Sequence, residues 1–244
     1  MVCTAKAGAI FVDANAAPGG DGLTWGTAYK YLQDAFYKPP TSGDEIWVAE
    51  GTYKPDQDEG SNVTAGDRYA TFELKDGVSF YGGFPIGGGT WEERDPNQYE
   101  TTLSGDLNGD DGPDFVNNGE NSYCVVHYNQ TGDGATLAGF TVTRGNANGS
   151  GAREAGGGGV NNESGGKLVL INCTLEFNSA SGGGGGVFIY KGTGLSQIFN
   201  CIFRKNKTEP GAIGGGGLLL YRAGSPILNN CMFLENISGD GGGL

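Results

Sequence analysis

The chain has 244 residues, 48 of them glycine, and its 15 Lys and Arg against 28 Asp and Glu give a formal net charge of −13. That balance excludes a nucleic acid or an anionic membrane surface held by bulk electrostatics, and no stretch is apolar enough to span a bilayer. The length allows a sizeable core in one domain, and a glycine share about three times the usual signals disorder only where periodic apolar strands are missing; here they are present.

Residues 1–9 contain Ala5-Lys6-Ala7, a match to the small-residue pattern of a signal-peptide cleavage site, although the apolar region expected before it is lacking. They read as a signal-peptide remnant or a disordered end, and residues 10–244 as a single domain. Residues 10–12 have a strand pattern and 13–24 a loop composition. Thr27 then stands as the N-cap of a helix reaching Tyr37, with Ala28, Leu32, Ala35 and Phe36 on one face and Pro39-Pro40 ending it. Such a helix suits residues 10–45 to cover the open apolar end of a stack, as an N-terminal cap.

Residues 46–122 carry early strands, at 46–48, 71–74, 78–81 and 101–104, separated by the long polar loops 54–68 and 87–99. The stretch Asp106-Leu107-Asn108-Gly109-Asp110-Asp111-Gly112-Pro113-Asp114 puts oxygen side chains of Asp106, Asn108, Asp110 and Asp114 at positions one, three, five and nine of a calcium-type loop. Position twelve is Asn117 instead of a bidentate Glu, with Glu120 close by, so the alternative is a solvated acidic loop.

Residues 123–244 hold a repeat. The phrase Asn-Cys, four residues and a closing Asn is written at Asn172-Cys173 to Asn178, Asn200-Cys201 to Asn206 and Asn230-Cys231 to Asn236, with the cysteines 28 and 30 residues apart. Between the phrases, glycine runs lead into Val187-Phe188-Ile189-Tyr190 and Leu218-Leu219-Leu220-Tyr221. Helical repeats are excluded by the density of Gly, Asn, β-branched and aromatic residues. The expectation is an all-β parallel β-helix, with strands at 187–190, 197–200 and 201–203 and the glycine run as the long turn. Residues 137–143 read as a divergent copy, with Phe140, Val142 and Gly145 where Cys173, Leu175 and Asn178 fall later. Leu170, Ile198 and Leu228 precede each cysteine by three, while Leu175, Phe203 and Phe233 follow by two, so the inward parity changes at Asn-Cys. A sharp bend belongs there, and Asn tolerates the left-handed backbone it demands. Stacked roughly 4.8 Å apart, Asn172, Asn200 and Asn230 can bond as an interior ladder, with Asn206 at a less costly outer corner.

The Gly-Gly-x-[Val/Leu] runs followed by Phe-x-x-Asn, at Phe203 to Asn206 and Phe233 to Asn236, resemble the repeats of polymorphic outer membrane proteins, and the whole resembles the pectin-lyase-like right-handed β-helix superfamily. The resemblance implies the handedness of the coil and says little about activity, since this architecture hosts lyases, hydrolases, adhesins and stalks.

Cys173, Cys201 and Cys231 share one ladder position and read as small buried hydrophobes; disulfides need Cβ atoms turned toward each other, and zinc needs a paired spacing absent here. If Val125 and His127, Val187 and Ile189, and Leu218 and Leu220 point inward, alternation sends Val126, Tyr128, Phe188, Tyr190, Leu219 and Tyr221 outward as an apolar, aromatic stripe. In the resembled superfamily this face commonly holds the saccharide cleft; the competing reading is that a loop or a second chain covers it. Glu163, Lys191 and Arg222 stand at the strand exits. A lyase of that kind implies an Arg or Lys base near acidic calcium ligands, but Lys191 and Arg222 lack Asp companions and the paired carboxylates of glycoside hydrolysis are absent from the repeats. His127 reads as a satisfied core residue. The function expected is thus a secreted or cell-surface, non-catalytic module that binds polysaccharide or serves as adhesin, stalk or self-assembling unit, with Ca²⁺ as its possible ion. The alternative is a polysaccharide lyase or glycoside hydrolase, and an acid/base pair within hydrogen-bond reach over the Tyr190 face discriminates the two.

Overall fold

A computed structural model describes residues 8–37, 40–192 and 195–238, without the side chains of 152 and 153. The signal-like residues 5–7, Pro39 and the repeat start at Gly241 lie outside the described residues. Among the described residues the chain is mostly strand with few helices, and the strand pairings of its sheets are parallel. A seven-stranded sheet, A, runs from Ala9–Val12 to Ile227–Asn229; a six-stranded sheet, B, from Gly51–Tyr53 to Met232–Leu234; and a five-stranded sheet, C, from Phe72–Glu73 to Leu218–Tyr221. A three-stranded sheet, D, holds Asn146–Ala147, Ser179–Ala180 and Lys207–Thr208. From Ala135 onward the chain visits A, B, D and C in that order and then returns to A, each circuit lying on the one before. This succession of short parallel strands fits a β-helix-like solenoid.

The registers explain the repeat. In sheet A, Ile10, Ile46, Phe80, Leu137, Leu170, Ile198 and Leu228 are stacked partners, and in sheet B so are Tyr53, Leu103, Val142, Leu175, Phe203 and Phe233. These columns form the core, and Phe203 lies flat on Phe233 with ring centroids 4.6 Å apart. The parity change falls where the phrase puts it: Asn172, Asn200 and Asn230 have φ of 52°, 54° and 51°. Glycine is forced at the long turns by the closeness of the stacked backbones, since a Cβ on Gly158 or Gly185 would sit 2.2 Å from the Ser179 carbonyl oxygen or 2.3 Å from that of Lys207.

The interior ladder is one corner further on than the sequence suggests. Asn172, Asn200 and Asn230 do bond in series, through Asn200 Nδ2 to Asn172 Oδ1 at 3.1 Å and Asn230 Nδ2 to Asn200 Oδ1 at 2.8 Å, but they are exposed. The inward series is Asn178 and Asn206, both buried, and the half-buried Asn236, each just after a left-handed residue (Phe177, Lys205, Glu235). An amide placed after the bend points inward to free strand-end carbonyls, whereas one within the bend faces water. Cys173 and Cys201 are buried and Cys231 half-buried, all as free thiols.

The helix expected from Thr27 to Tyr37 is broken. A 3₁₀ turn at Trp25–Thr27 is followed by Tyr29, which bridges in parallel to Val12, its N–H donating to the Phe11 carbonyl at 2.9 Å, so only Asp34–Tyr37 is helical. Strand pairing takes the backbone groups a helix would need. Ala28, Leu32, Ala35 and Phe36 are nonetheless buried, and the Phe36 ring lies 5.4 Å from that of Phe80.

Candidate functional site

The outer face of sheet C is built by register. Val126 pairs with Phe72 and Val160, and Val160 with Val187, which pairs with Leu218; all are inward. Val126 and Tyr128 are therefore interior residues, each 0% exposed, and not members of the outward stripe. The entry into the strand is buried through Cys124 and Val125 as well, and hydrogen bonding fixes the frame one residue away from the alternation expected. Tyr128 sends its hydroxyl to Asp76 Oδ1, and burial together with that carboxylate holds the phenol well above its usual range.

His127 consequently belongs to the outward row, in register with Glu73, Asn161, Phe188 and Leu219. It is 4% exposed because two carboxylates cover it: Nδ1 lies 2.7 Å from Glu73 Oε2 and Nε2 lies 3.1 Å from Glu163 Oε2. One step further along the same register, Glu163 falls in the row of Tyr190 and Tyr221, not with Lys191 and Arg222. Imidazolium satisfies both contacts at once; a neutral ring donates to one carboxylate and needs a proton on the other. Both ring nitrogens of His127 thus face a carboxylate oxygen.

Beside these groups the face turns aromatic. Tyr190 and Tyr221 stack with centroids 5.7 Å apart at 11°, Phe188 lies 5.8 Å from Tyr190, and all three, with Leu219, are half-buried. Lys191 Nζ lies 4.8 Å from the centre of the Tyr190 ring and the Arg222 guanidinium 5.4 Å from that of Tyr221, both on left-handed corners with φ of 52° and 53°. A cavity of 260 Å³ is lined by Glu163, Phe188, Tyr190, Ala155, Gly156 and Gly182. Glu73 and Lys75 help line another, of 340 Å³, with Gln33, Tyr37 and Tyr69. His127 thus connects a carboxylate in one cavity to a carboxylate in the other. Sequence reasoning missed Glu73 and Glu163 as a pair because they lie 54 and 36 residues from His127, outside the repeated phrase. The chain matches no protein-family model, no curated protein and no solved structure.

A second cluster sits in the acidic loop. One ligand oxygen each from Asp106, Asp110, Asp111 and Glu120 falls within 4.8 Å of the others, a group able to hold a metal ion. One carboxylate of the linear pattern is replaced. Asp114 stands exposed in the Pro113–Phe115 turn with φ 54°, outside the cluster, and Asn108 is exposed too. The chain instead winds around Asp106, whose carboxylate accepts the N–H groups of Gly109, Asp110 and Asp111 at 2.6, 3.2 and 3.2 Å, and this brings Asp111 inside. Burial pushes the Asp111 carboxyl above the ordinary range, with the neighbouring Asp106 and Asp110 charges adding to it against Asn121 and Arg144. Burial raises Glu120 likewise, helped by the same carboxylates.

Proposed function

We propose that the chain is a secreted or cell-surface module, a right-handed β-helix of pectin-lyase-like type whose N-terminal segment caps the first coil, and that it binds polysaccharide across the outer face of sheet C. The observation that carries this reading is the Tyr190–Tyr221 stack beside the 260 Å³ cavity. The half-exposed Phe188, Tyr190 and Tyr221 rings give the face an aromatic, apolar surface, while Glu163, Lys191 and Arg222 supply the few polar groups that orient a ligand. Ca²⁺ enters as the ion of the acidic loop, where every donor is an oxygen.

A second reading, a glycoside hydrolase or polysaccharide lyase, is favoured by one contact: Glu163 is within hydrogen-bond reach of His127 and lines the cavity floored by Phe188 and Tyr190. Incubation with a panel of polysaccharides, read for retention on the polymer and for new reducing ends or unsaturated product, separates the two. Binding alone gives retention that drops at least tenfold in the Tyr190→Ser, Tyr221→Ser double variant and no product. Catalysis gives product that Glu163→Gln abolishes while retention persists. Adhesion or self-assembly through the same stripe gives no retention but a sedimentation change that the tyrosine double variant removes. No retention, no product and no tyrosine-dependent sedimentation would refute a functional role for this face.

A further inference from the structure

In the excursion from Gly105 to Asn121, two buried carboxylate oxygens, Asp111 Oδ1 and Glu120 Oε1, have no hydrogen-bond partner. The Asp111 side chain is 2% exposed, and its other oxygen is already taken, accepting from Asn121 Nδ2 at 2.8 Å with Arg144 Nη1 3.7 Å away. Both residues belong to the four-carboxylate cluster with Asp106 and Asp110. A buried carboxylate oxygen left without a donor is costly, and four acids with Arg144 and with Lys54, whose Nζ donates to the Leu107 carbonyl at 3.1 Å, beside them still leave an excess of negative charge. A cation at their centre would answer both. The four oxygens lie within 4.8 Å of one another, close enough to share one cation, and a set of four protein oxygens suits Ca²⁺, which takes about six to eight oxygen ligands, better than Mg²⁺, which keeps several of its waters. No nitrogen or sulfur donor is in the group, which disfavours zinc and copper.

We propose that Asp106, Asp110, Asp111 and Glu120 bind one Ca²⁺ ion, and that the ion ties the start of the excursion to its end. Asp106 to Asp111 lie on the turn leaving the strand Thr101–Ser104, and Glu120 lies just before the residues that enter Val126–Tyr128. The base of the excursion is already joined by the Ser122 N–H donating to the Gly105 carbonyl at 2.9 Å and by Asn121 Nδ2 donating to Asp111, and Arg144 Nη1 holds the Gly112 carbonyl at 3.0 Å; binding adds a tie between its two acidic ends. Asp106 keeps lone pairs for a metal while accepting its three backbone amides. The inference rests on the loop taking a hard cation and not on the saccharide face, so either can fail without the other.

The test uses the whole chain, stripped with chelator, in calorimetric titrations with CaCl₂ and separately with MgCl₂, and in thermal melts with and without Ca²⁺. One Ca²⁺ site is expected, at least tenfold tighter than Mg²⁺, with a higher melting temperature in Ca²⁺ by mass action. Asp111→Asn and Glu120→Gln should each weaken Ca²⁺ at least tenfold, whereas Asp114→Asn and Asn108→Ala should stay within twofold. Removal of one crowded charge should also raise the melting temperature of chelated Asp111→Asn above that of the chelated parent, which shows that this variant folds while its Ca²⁺ response is lost. Absence of Ca²⁺ heat and of a melting shift in the parent overturns the proposal, as does Asp114→Asn weakening Ca²⁺ as much as Glu120→Gln.

Discussion

Truncating Asn206 should cost far more than truncating Asn200, the reverse of what the repeat phrase alone suggests. The Asn206 side chain makes four hydrogen bonds in a 0% exposed site: Nδ2 donates to the Leu175 carbonyl at 2.8 Å and to Asn236 Oδ1 at 3.0 Å, while Oδ1 accepts from the Asn178 N–H and Asn178 Nδ2, both at 3.1 Å. Asn206→Ala leaves the Leu175 carbonyl and the Asn178 N–H buried without their partner, at about 1–3 kcal/mol each. Asn236 Oδ1 keeps the Asn206 N–H at 3.0 Å, so its loss is partial. Allowing for a water entering the space, the net cost is roughly 3 kcal/mol. At Asn200 the partners Asn172 and Asn230 are exposed and can turn to water, leaving mainly the left-handed backbone, which costs Ala about 1 kcal/mol. Glycine separates the two causes: Asn200→Gly should recover most of its loss, and Asn206→Gly none. Denaturant unfolding followed by circular dichroism measures all four variants through their midpoints at a shared slope. Equal costs at the two positions, or recovery by Gly at 206, would refute the assignment of the load to the Asn178–Asn206–Asn236 series.

Two further outcomes follow from the same kind of accounting. Tyr128→Phe removes the hydroxyl that donates to Asp76, whose carboxylate also accepts the N–H groups of Gly132 and Gly134 at 3.0 and 3.3 Å, so unfolding should show a loss of about 1 kcal/mol; no loss would mean that the hydroxyl is not paired inside. Asp34 is held above its ordinary range by burial, against the Glu59 N–H that it accepts at 3.1 Å. The folded state then keeps the Asp34 proton to higher pH than the unfolded chain, and stability falls as pH rises from the unfolded to the folded pKa. Asp34→Asn should remove that fall, and identical acid-limb profiles for parent and variant would contradict it.

Much of the fold was legible because the solenoid-like stacking writes its geometry into spacing. The phrase around Cys173, Cys201 and Cys231 marks the left-handed corner, the inward columns and the glycine turns, all of which follow from local backbone sterics and contact with the next circuit. What misled were features that depend on a residue elsewhere in the chain. Two asparagines bracket each phrase, and only the backbone decides which one looks inward. Residues 124–128 could be threaded in either parity until Phe72 and Val160 fixed the frame. The helix from Thr27 failed because Phe11 and Val12 claimed the backbone of Tyr29. The site suffered most: Glu73 and Glu163 meet on His127 from different circuits, and the acidic loop matched a linear calcium pattern while its chain, wound around Asp106, exchanged Asp114 for Asp111 and Glu120.

The uniform register of the later circuits also governs how the molecule would respond to force. From Leu170 to Leu228 in sheet A and from Leu175 to Phe233 in sheet B, residues 28 or 30 apart in sequence are neighbours in space, so each of these circuits is held largely by the one beneath it. Pulled from its C-terminal side, such a stack has no single clasp whose failure frees the whole; it should give way one circuit at a time. Each release would pay out roughly 100 Å of chain at ~3.4 Å per extended residue, so that force-extension traces would show evenly spaced teeth instead of one large rupture, with the Asn178–Asn206–Asn236 series setting the height of the teeth.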